Sequence, residues 1–228
     1  VNVVDEDPDL AQDLSAELLE KARRVAVARL ALVKTGERFG PAHTPAETGA
    51  LGLLVLDGVV VRSFNVGGRR GLELFGAGDL LRPSERTGDV ELIVPTEVAW
   101  WALTPTRLAL LDARFTRRLC AHPQVMAQMI GRLERRSSAH ALRRTIIQQP
   151  RLAERLHLLL WHLADRFGRV HAGGVVLPLP LSHELLAQLA GAQRPSISRA
   201  LKELERAEVV ARRPDGSWWL GGAPPPSA

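Results

Sequence analysis

Residues 181–206 constrain the fold more than any other part of the chain; they read LSHELLAQLAGAQRPSISRALKELER. Ser182 can cap a first helix, because a serine oxygen accepts a hydrogen bond from the unpaired backbone N–H groups at a helix start. Gly191 follows where a tight turn requires a positive φ. Pro195 suits the start of a second helix, because the N–H that proline lacks has no helical partner there. The segment therefore predicts two helices joined by a tight turn, a helix-turn-helix.

The second helix has an apolar face and a polar face. Ile197, Leu201 and Leu204 recur at helical spacing and predict its buried side. The outward residues are Ser196, Arg199, Lys202, Glu203 and Arg206. Two short β-prone runs follow around a Pro-Asp-Gly turn at 214–216, and such a hairpin beside the second helix is typical of a winged helix. The alternative is an ordinary helical hairpin whose arginines are only solvated.

The polar residues near the start of the second helix suit a DNA major groove. Arg194 and Arg199 can each donate two hydrogen bonds to guanine, which discriminates against other bases by about 1–3 kcal/mol. Ser182, Gln193 and Ser196 are short donors suited to phosphate oxygens beside helix N-termini. This pattern predicts DNA binding.

Charge is distributed unevenly along the chain. Residues 1–111 have a net charge of −4, residues 112–150 of +6 and residues 151–228 of +3. A basic second half indicates a polyanionic partner. Because 27 of the 30 basic residues are arginine, a solvated surface in an arginine-rich proteome is the alternative explanation.

Composition narrows the class of protein. The 228 residues, 46% hydrophobic and 24% charged, are typical of a folded globular protein. The acidic N-terminal segment lacks the basic and apolar runs of a secretory signal, and we expect no membrane segment. A lone cysteine, Cys120, excludes a disulfide framework and all-cysteine metal sites within one chain, so we expect a cytoplasmic location, no metal site and no cofactor.

The pattern of apolar residues in the first half of the chain changes near residue 50. Residues 9–34 carry leucines at helical spacing and predict a helix. From 51 to 111, short apolar runs alternate with glycines, which predicts six or more strands in a small barrel or sandwich. Asp57-Gly58 lies between two such runs and predicts a hairpin, while Gly67-Gly68 and Gly76–Gly78 are turn signals.

A long helix is predicted from Pro123 to Pro150, followed by another helix over 151–168. The apolar residues of the long helix form a narrow seam: Met126, Met129, Ile130, Leu133 and Ala141. A narrow seam suits the same helix of a second subunit, so we expect a homodimer. The alternative is that the seam packs on the chain's own β domain.

The order of these parts resembles the cyclic-AMP receptor protein / fumarate–nitrate regulator (CRP/FNR) family of bacterial transcription factors over residues 35–222. LGLLVLDGVVVRSF and LELFGAGDLL are similar to its roll strands, and residues 181–205 to its recognition pattern. The resemblance implies an α+β fold: an N-terminal double-stranded β-helix (a cyclic-nucleotide-binding-like β-roll), a long dimerisation helix and a C-terminal winged helix-turn-helix. We expect the β-roll with its N-terminal helix over 1–111, the long helix over 112–149 and the DNA-binding domain over 150–228.

The resemblance also implies which residues meet DNA: Ser182, His183, Gln193, Arg194, Ser196, Arg199 and Lys202. Arg194 and Arg199 would read bases. Where many members carry a glutamate beside the first arginine, this chain has Pro195, which cannot accept a hydrogen bond from cytosine. The half-site should therefore differ at that base pair.

The sensory region departs further from the family. Cyclic-nucleotide-binding members follow Gly-Asp with Gly-Glu-Leu and then Arg-Ser-Ala or Arg-Thr-Ala, whereas Gly78-Asp79 is followed here by LLRPSERTG. Arg82, Arg86 and Thr87 are the candidate ligand-binding residues in this shortened segment, although loop residues without a ligand are the simpler interpretation. We expect a roll without the usual cyclic-AMP cassette; the alternative is a divergent phosphate-binding cassette. The oxygen-sensing branch needs several cysteines that are absent, and haem sensing stays open.

The sequence features above leave three classes of function to consider. The first is a homodimeric regulator that binds a palindromic operator in double-stranded DNA and meets RNA polymerase, with or without a small-molecule effector. The second is an enzyme or carbohydrate-binding roll fused to a DNA anchor, for which no catalytic constellation is present, so we expect no enzyme. The third is a protein-interaction module that uses the winged helix for protein contacts.

Overall fold

The computed structural model describes residues 1–40, 43–45, 47–83 and 94–225. The chain divides into two compact units, Val1–Ser137 and Ser138–Ala228. Along the first unit run α1 (Val3–Glu6), a 3₁₀ turn (Pro8–Ala11), α2 (Ala16–Val25), β1 (Arg29–Val33), β2 (Arg38–Phe39), β3 (Gly52–Asp57), β4 (Val60–Val66), β5 (Arg69–Phe75), β6 (Leu80–Leu81), β7 (Glu97–Ala102), β8 (Thr106–Leu111) and α3 (Ala113–Leu119).

Two antiparallel four-stranded sheets form a β-roll, as predicted. One has the strand order β1-β8-β3-β6 and the other β2-β7-β4-β5. Leu53 and Leu108 of the first sheet join Phe75 and Trp100 of the second in one buried cluster. Side chains alternate across a strand, so each sheet contributes one face to this shared core.

The helix predicted over residues 9–34 is confirmed only for its middle part, Ala16–Val25. Ser15 Oγ accepts a hydrogen bond from Leu18 N at 3.3 Å and starts α2, which ends at Val25. The following residues form β1, whose backbone pairs with β8 from Arg29↔Leu110 to Val33↔Thr106. A partner strand more than seventy residues away satisfies this backbone, and leucine spacing alone does not reveal such a partner.

The hairpin predicted at Asp57-Gly58 is also wrong. β3 pairs with β6 and β8, whereas β4 pairs with β5 and β7, so the turn carries the chain from one sheet to the other. Gly58 has φ 88°, and a Cβ there would lie 2.2 Å from the Pro105 carbonyl oxygen. The signal for a glycine turn was correct, but the pairing it implied was not. The adjacent hairpin is β4–β5, whose two-residue loop is Gly67-Gly68.

The long helix α4 (Pro123–Ile147) confirms the prediction and has 25 residues. Val125 and Met129 are buried in a second core cluster with residues of α1, α2 and α3, and Met126 packs against it. Ile130, Leu133 and Leu142 are exposed. The predicted seam is therefore divided, because its two methionines contact the chain's own β domain.

The second unit contains α5 (Leu152–Phe167), β9 (Arg169–His171), β10 (Gly174–Leu177), α6 (His183–Ala190), α7 (Arg194–Arg206), β11 (Val210–Arg212) and β12 (Trp218–Gly221). Its sheet has the order β11-β12-β10-β9. Both predicted helices of the helix-turn-helix and the wing hairpin are confirmed, while β9 and β10 were not predicted. Trp218 is fully buried and donates from Nε1 to Leu181 O at 3.3 Å.

Candidate nucleic-acid interface

The turn between α6 and α7 forms as the sequence predicts. Ser182 Oγ accepts from Leu185 N at 3.2 Å and caps α6. Gly191 ends the helix in the left-handed region at φ 64°, and Ala192 N donates to Ala187 O at 2.9 Å. Only glycine adopts this conformation without strain, which gives the turn its tightness.

Helix α7 presents a basic outer face above a buried inner face. Ile197, Ala200, Leu201 and Leu204 are buried. Among the predicted interface residues, Gln193, Arg194, Arg199 and Lys202 are exposed and Ser196 is half-buried. Pro195 lies in the first turn, as its second rather than its first residue. Arg194 and Arg199 are five residues apart, which is about 1.4 helical turns or about 7.5 Å along the helix axis. Both can therefore reach the same DNA major groove, which is about 12 Å wide.

His183, the first residue of α6, is tied to α7. Its Nδ1 lies 2.9 Å from Ser198 Oγ, and Ser198 Oγ donates to Arg194 O at 3.2 Å. Burial lowers the pKa of the His183 imidazole below its ordinary value, and the positive charges of Arg212 and Arg194 lower it further. Sequence reasoning missed Ser198, because its contact with His183 depends on how two helices cross.

The wing adds basic residues that were not among the predicted site residues. Arg212 and Arg213 are exposed at the end of β11. The turn after them is held by Asp215 Oδ1, which accepts from Ser217 N at 3.0 Å and Ser217 Oγ at 2.6 Å; these bonds lower the pKa of Asp215. Arg212 and Arg213 directly precede the Pro-Asp-Gly turn, and this position in the sequence could have identified them as basic residues of the wing.

An open groove of about 600 Å³ lies between the start of α5 and the outer face of α7. Its lining residues are Arg151, Leu152, Ala153, Glu154, Ser196, Arg199, Ala200 and Glu203. The groove places Arg151 on the same surface as Arg199, although the two are far apart in sequence. The lining also contains two carboxylates, and Arg151 pairs with one of them, Glu154, at 3.0 Å.

Comparisons with known proteins agree with this geometry. Residues 150–218 match the Crp-like helix-turn-helix domain. The HTH-type transcriptional regulator Cmr of Mycobacterium tuberculosis is 29% identical over 136 residues, which are 58% of this chain and 51% of Cmr. The chain thus matches about half the length of that curated relative. The second unit of the chain is therefore similar to a Crp-like helix-turn-helix domain.

Two solved structures share the fold of this chain. A CooA mutant from Carboxydothermus hydrogenoformans has a TM-score of 0.64 at 18% identity, with 92% of this chain and 88% of that chain covered. A CRP/FNR-family transcriptional regulator from Thermus thermophilus has a TM-score of 0.51 at 22% identity, with 85% and 94% covered. Cmr is named as a transcriptional regulator, which agrees with the expectation that this chain is not an enzyme.

Of the three predicted ligand residues, only Arg82 lies among the residues that the structure describes. Arg82 donates to the backbone oxygen of Ala50 at 3.2 Å. Arg86 and Thr87 lie outside the described residues. Among the described residues, no three histidine, cysteine or acidic side chains are placed to hold a metal ion, and no helix is long and apolar enough to cross a bilayer.

A buried ionic cluster in the same roll was missed by sequence reasoning. Arg136 of α4 donates to Asp79 Oδ2 at 2.9 Å and to Glu73, and Arg62 also donates to Glu73. Arg132, one helical turn earlier, donates to Asp7. We call Arg62, Glu73, Asp79 and Arg136 the roll cluster. Its acidic and basic charges are equal in number, so opposite charges compensate one another inside the roll.

Proposed function

We propose that this chain is a transcription regulator that binds a palindromic operator in double-stranded DNA as a homodimer, with α7 in the major groove. The observation that carries the proposal is the exposed basic face of α7, Arg194, Arg199 and Lys202, on a domain that matches the Crp-like helix-turn-helix family. Recognition helices of two subunits related by a twofold axis would bind half-sites about 34 Å apart, one turn of DNA.

Each predicted interface residue has a role in this proposal. Arg194 and Arg199 read guanines, and Lys202 supports them through charge. Ser182, Gln193 and Ser196 bind phosphates and set the register of the helix on the duplex. Ser182 does so while its oxygen also caps α6, and His183 contributes through its contact with Ser198 of α7.

We propose that α4 supplies the dimer contact through its exposed apolar residues. Ile130 is 62% exposed, Leu133 49% and Leu142 54%. Ile130, Leu133 and Ala141 lie within about 80° of one another around the helix axis and continue the part of the seam that the roll leaves uncovered, whereas Leu142 lies about 180° from Leu133. Burying such residues against a twofold-related copy removes apolar surface from water, which favours association.

We propose that the roll does not use the usual cyclic-AMP cassette. The arginines of the roll cluster already contact Glu73 and Asp79, and Arg82 contacts a backbone carbonyl. These contacts favour a structural roll or one that senses another molecule. A divergent cassette that includes Arg82, Arg86 and Thr87 is the second candidate. The proposal also includes the division of the chain into a β-roll with its N-terminal helix, a long helix and a DNA-binding domain. It further includes a cytoplasmic location and contact with RNA polymerase. All of these stay predictions.

Selection from a random duplex library tests the proposal, with the protein alone and with a panel of cyclic nucleotides. We expect a palindrome to be enriched without nucleotide, and its affinity to fall steeply with salt because phosphate contacts release counterions. Enrichment only with a nucleotide would support the divergent cassette. Failure to enrich any duplex under either condition would overturn DNA recognition and favour the protein-interaction module.

A further inference from the structure

His183 is linked to α7 through Ser198. Ser198 Oγ lies 2.9 Å from His183 Nδ1 and 3.2 Å from Arg194 O. When the hydroxyl hydrogen points to Arg194 O, Ser198 Oγ accepts a hydrogen bond from Nδ1. In that arrangement the ring takes up its second proton at Nε2, and the link to α7 is kept.

The charges around His183 come from two neighbouring elements. Arg194 lies at the start of α7 and Arg212 at the end of β11; both lower the pKa of His183, while Glu205 of α7 acts in the opposite direction. The ring centroid of Trp218 in β12 is 6.5 Å away. Without a ligand, burial and the two arginines therefore favour a neutral imidazole.

A DNA backbone would change this balance. Phosphates that approach α7 and the wing bring negative charge to Arg194 and Arg212 and compensate the two cations that oppose protonation of His183. We propose that binding of a DNA duplex to this winged helix is coupled to proton uptake at His183. The inference rests on the proposed function, since it requires that α7 and the wing face a duplex.

The sign of the effect follows from linkage. If DNA raises the pKa of His183, the complex binds more protons than the free protein between the two pKa values, so affinity rises as pH falls through that window. Above both pKa values the imidazole is neutral in either state, and affinity no longer depends on this residue. Each pKa unit by which DNA shifts the ring gives about a tenfold gain in affinity per subunit.

The experiment measures the affinity of the protein for the selected duplex by anisotropy. The duplex carries a dye whose charge does not change with pH. Affinity is measured between about pH 8 and about pH 5.5, the range in which histidine changes charge. The variants are His183→Asn, whose amide can donate to Ser198 but does not titrate, and His171→Asn, which removes an exposed histidine of β9 in the same unit. We expect wild type and His171→Asn to gain about tenfold per subunit at low pH for each unit by which DNA raises the pKa of His183, and His183→Asn to lose that gain.

The possible results distinguish a failure of proton uptake at His183 from a failure of DNA binding. Equal pH dependence in wild type and His183→Asn would overturn proton uptake at His183, as would a wild type whose affinity does not change with pH, while DNA binding itself would stand. Loss of the pH dependence in His171→Asn as well would also contradict an assignment to His183. Absence of duplex binding by wild type at every pH would overturn the proposed function, and the coupling with it.

Discussion

The guanidinium carbon of Arg136 lies 3.6 Å from the centre of the Phe75 ring. The same guanidinium, 12% exposed, donates to Asp79 and Glu73, whose side chains are 6% exposed. One arginine of α4 therefore provides a cation–π contact and counter-ions for two buried carboxylates. This helix therefore contributes to the charge compensation of two carboxylates in the interior of the roll, and Arg62 contributes to that of Glu73.

Replacement of Arg136 by methionine should destabilise the first unit. Methionine keeps much of the apolar stem but removes a counter-ion from two buried carboxylates, and breaking a buried pair costs about 3–5 kcal/mol. The free energy of unfolding in urea measures the effect. The control is Arg135→Met on the exposed side of the same helix, expected to change stability by no more than about 0.5 kcal/mol. Equal stability of the two variants would contradict a stabilising role for the roll cluster.

The second unit should lose stability as pH falls below about 6.5, the ordinary histidine pKa. Burial lowers the pKa values of His157 and His162, so the unfolded chain binds more protons than the folded one below that pH. The loss ends once pH is below the folded-state pKa values. His157 Nε2 accepts from Trp161 Nε1 at 3.1 Å, and protonation would break that bond. Urea midpoints at several pH values test this; His157→Gln should reduce the pH dependence, and an unchanged slope would exclude His157 as a contributor.

Substitution of Pro195 should change which base pair is preferred beside the Arg194 contact. Pro195→Glu introduces an acceptor in the first turn of α7 that can take a hydrogen bond from cytosine N4. We expect selection with this variant to gain a cytosine preference of about 1–3 kcal/mol at one position of each half-site. Pro195→Ala is the control and should gain none. The same operator from all three proteins would contradict our placement of this turn at the bases.

The dimer should weaken when a charge enters the exposed part of the α4 seam. Ile130→Glu would bury an unpaired carboxylate between two subunits, and we expect the dimer dissociation constant to rise by about tenfold or more. Sedimentation equilibrium measures it. Gln124→Glu, exposed at the start of the same helix, adds the same charge and should leave association nearly unchanged. Equal dissociation constants for the two variants would place the dimer contact elsewhere.

Sequence reasoning worked where local signals decide the structure. Ser182, Gly191 and the spacing of Ile197 and Leu201 specify the helix-turn-helix through capping, turn geometry and one buried face. Sequence reasoning failed where strands pair with partners that are distant along the chain. The residues of β1 were predicted as helix because nothing near them in sequence indicates that they pair with β8. Asp57-Gly58 joins two sheets rather than two paired strands.

The parts of the candidate site that sequence could not reveal are contacts between elements. His183 and Ser198 are fifteen residues apart, and their hydrogen bond depends on the crossing of α6 and α7. Arg136 and Glu73 are more than sixty residues apart and meet only because α4 packs on the roll. No local pattern encodes either contact, since each requires the position of a second element in space.

Base reading by the outer face of α7 is tested by one comparison of affinities. Arg199→Ala and Ser182→Ala are each measured with the selected operator and with a random duplex of equal length. We expect Arg199→Ala to lose about 1–3 kcal/mol on the operator, to relax one base position and to change random binding little. Ser182→Ala should weaken both duplexes alike. Equal losses on operator and random DNA for Arg199→Ala would contradict base reading by this helix.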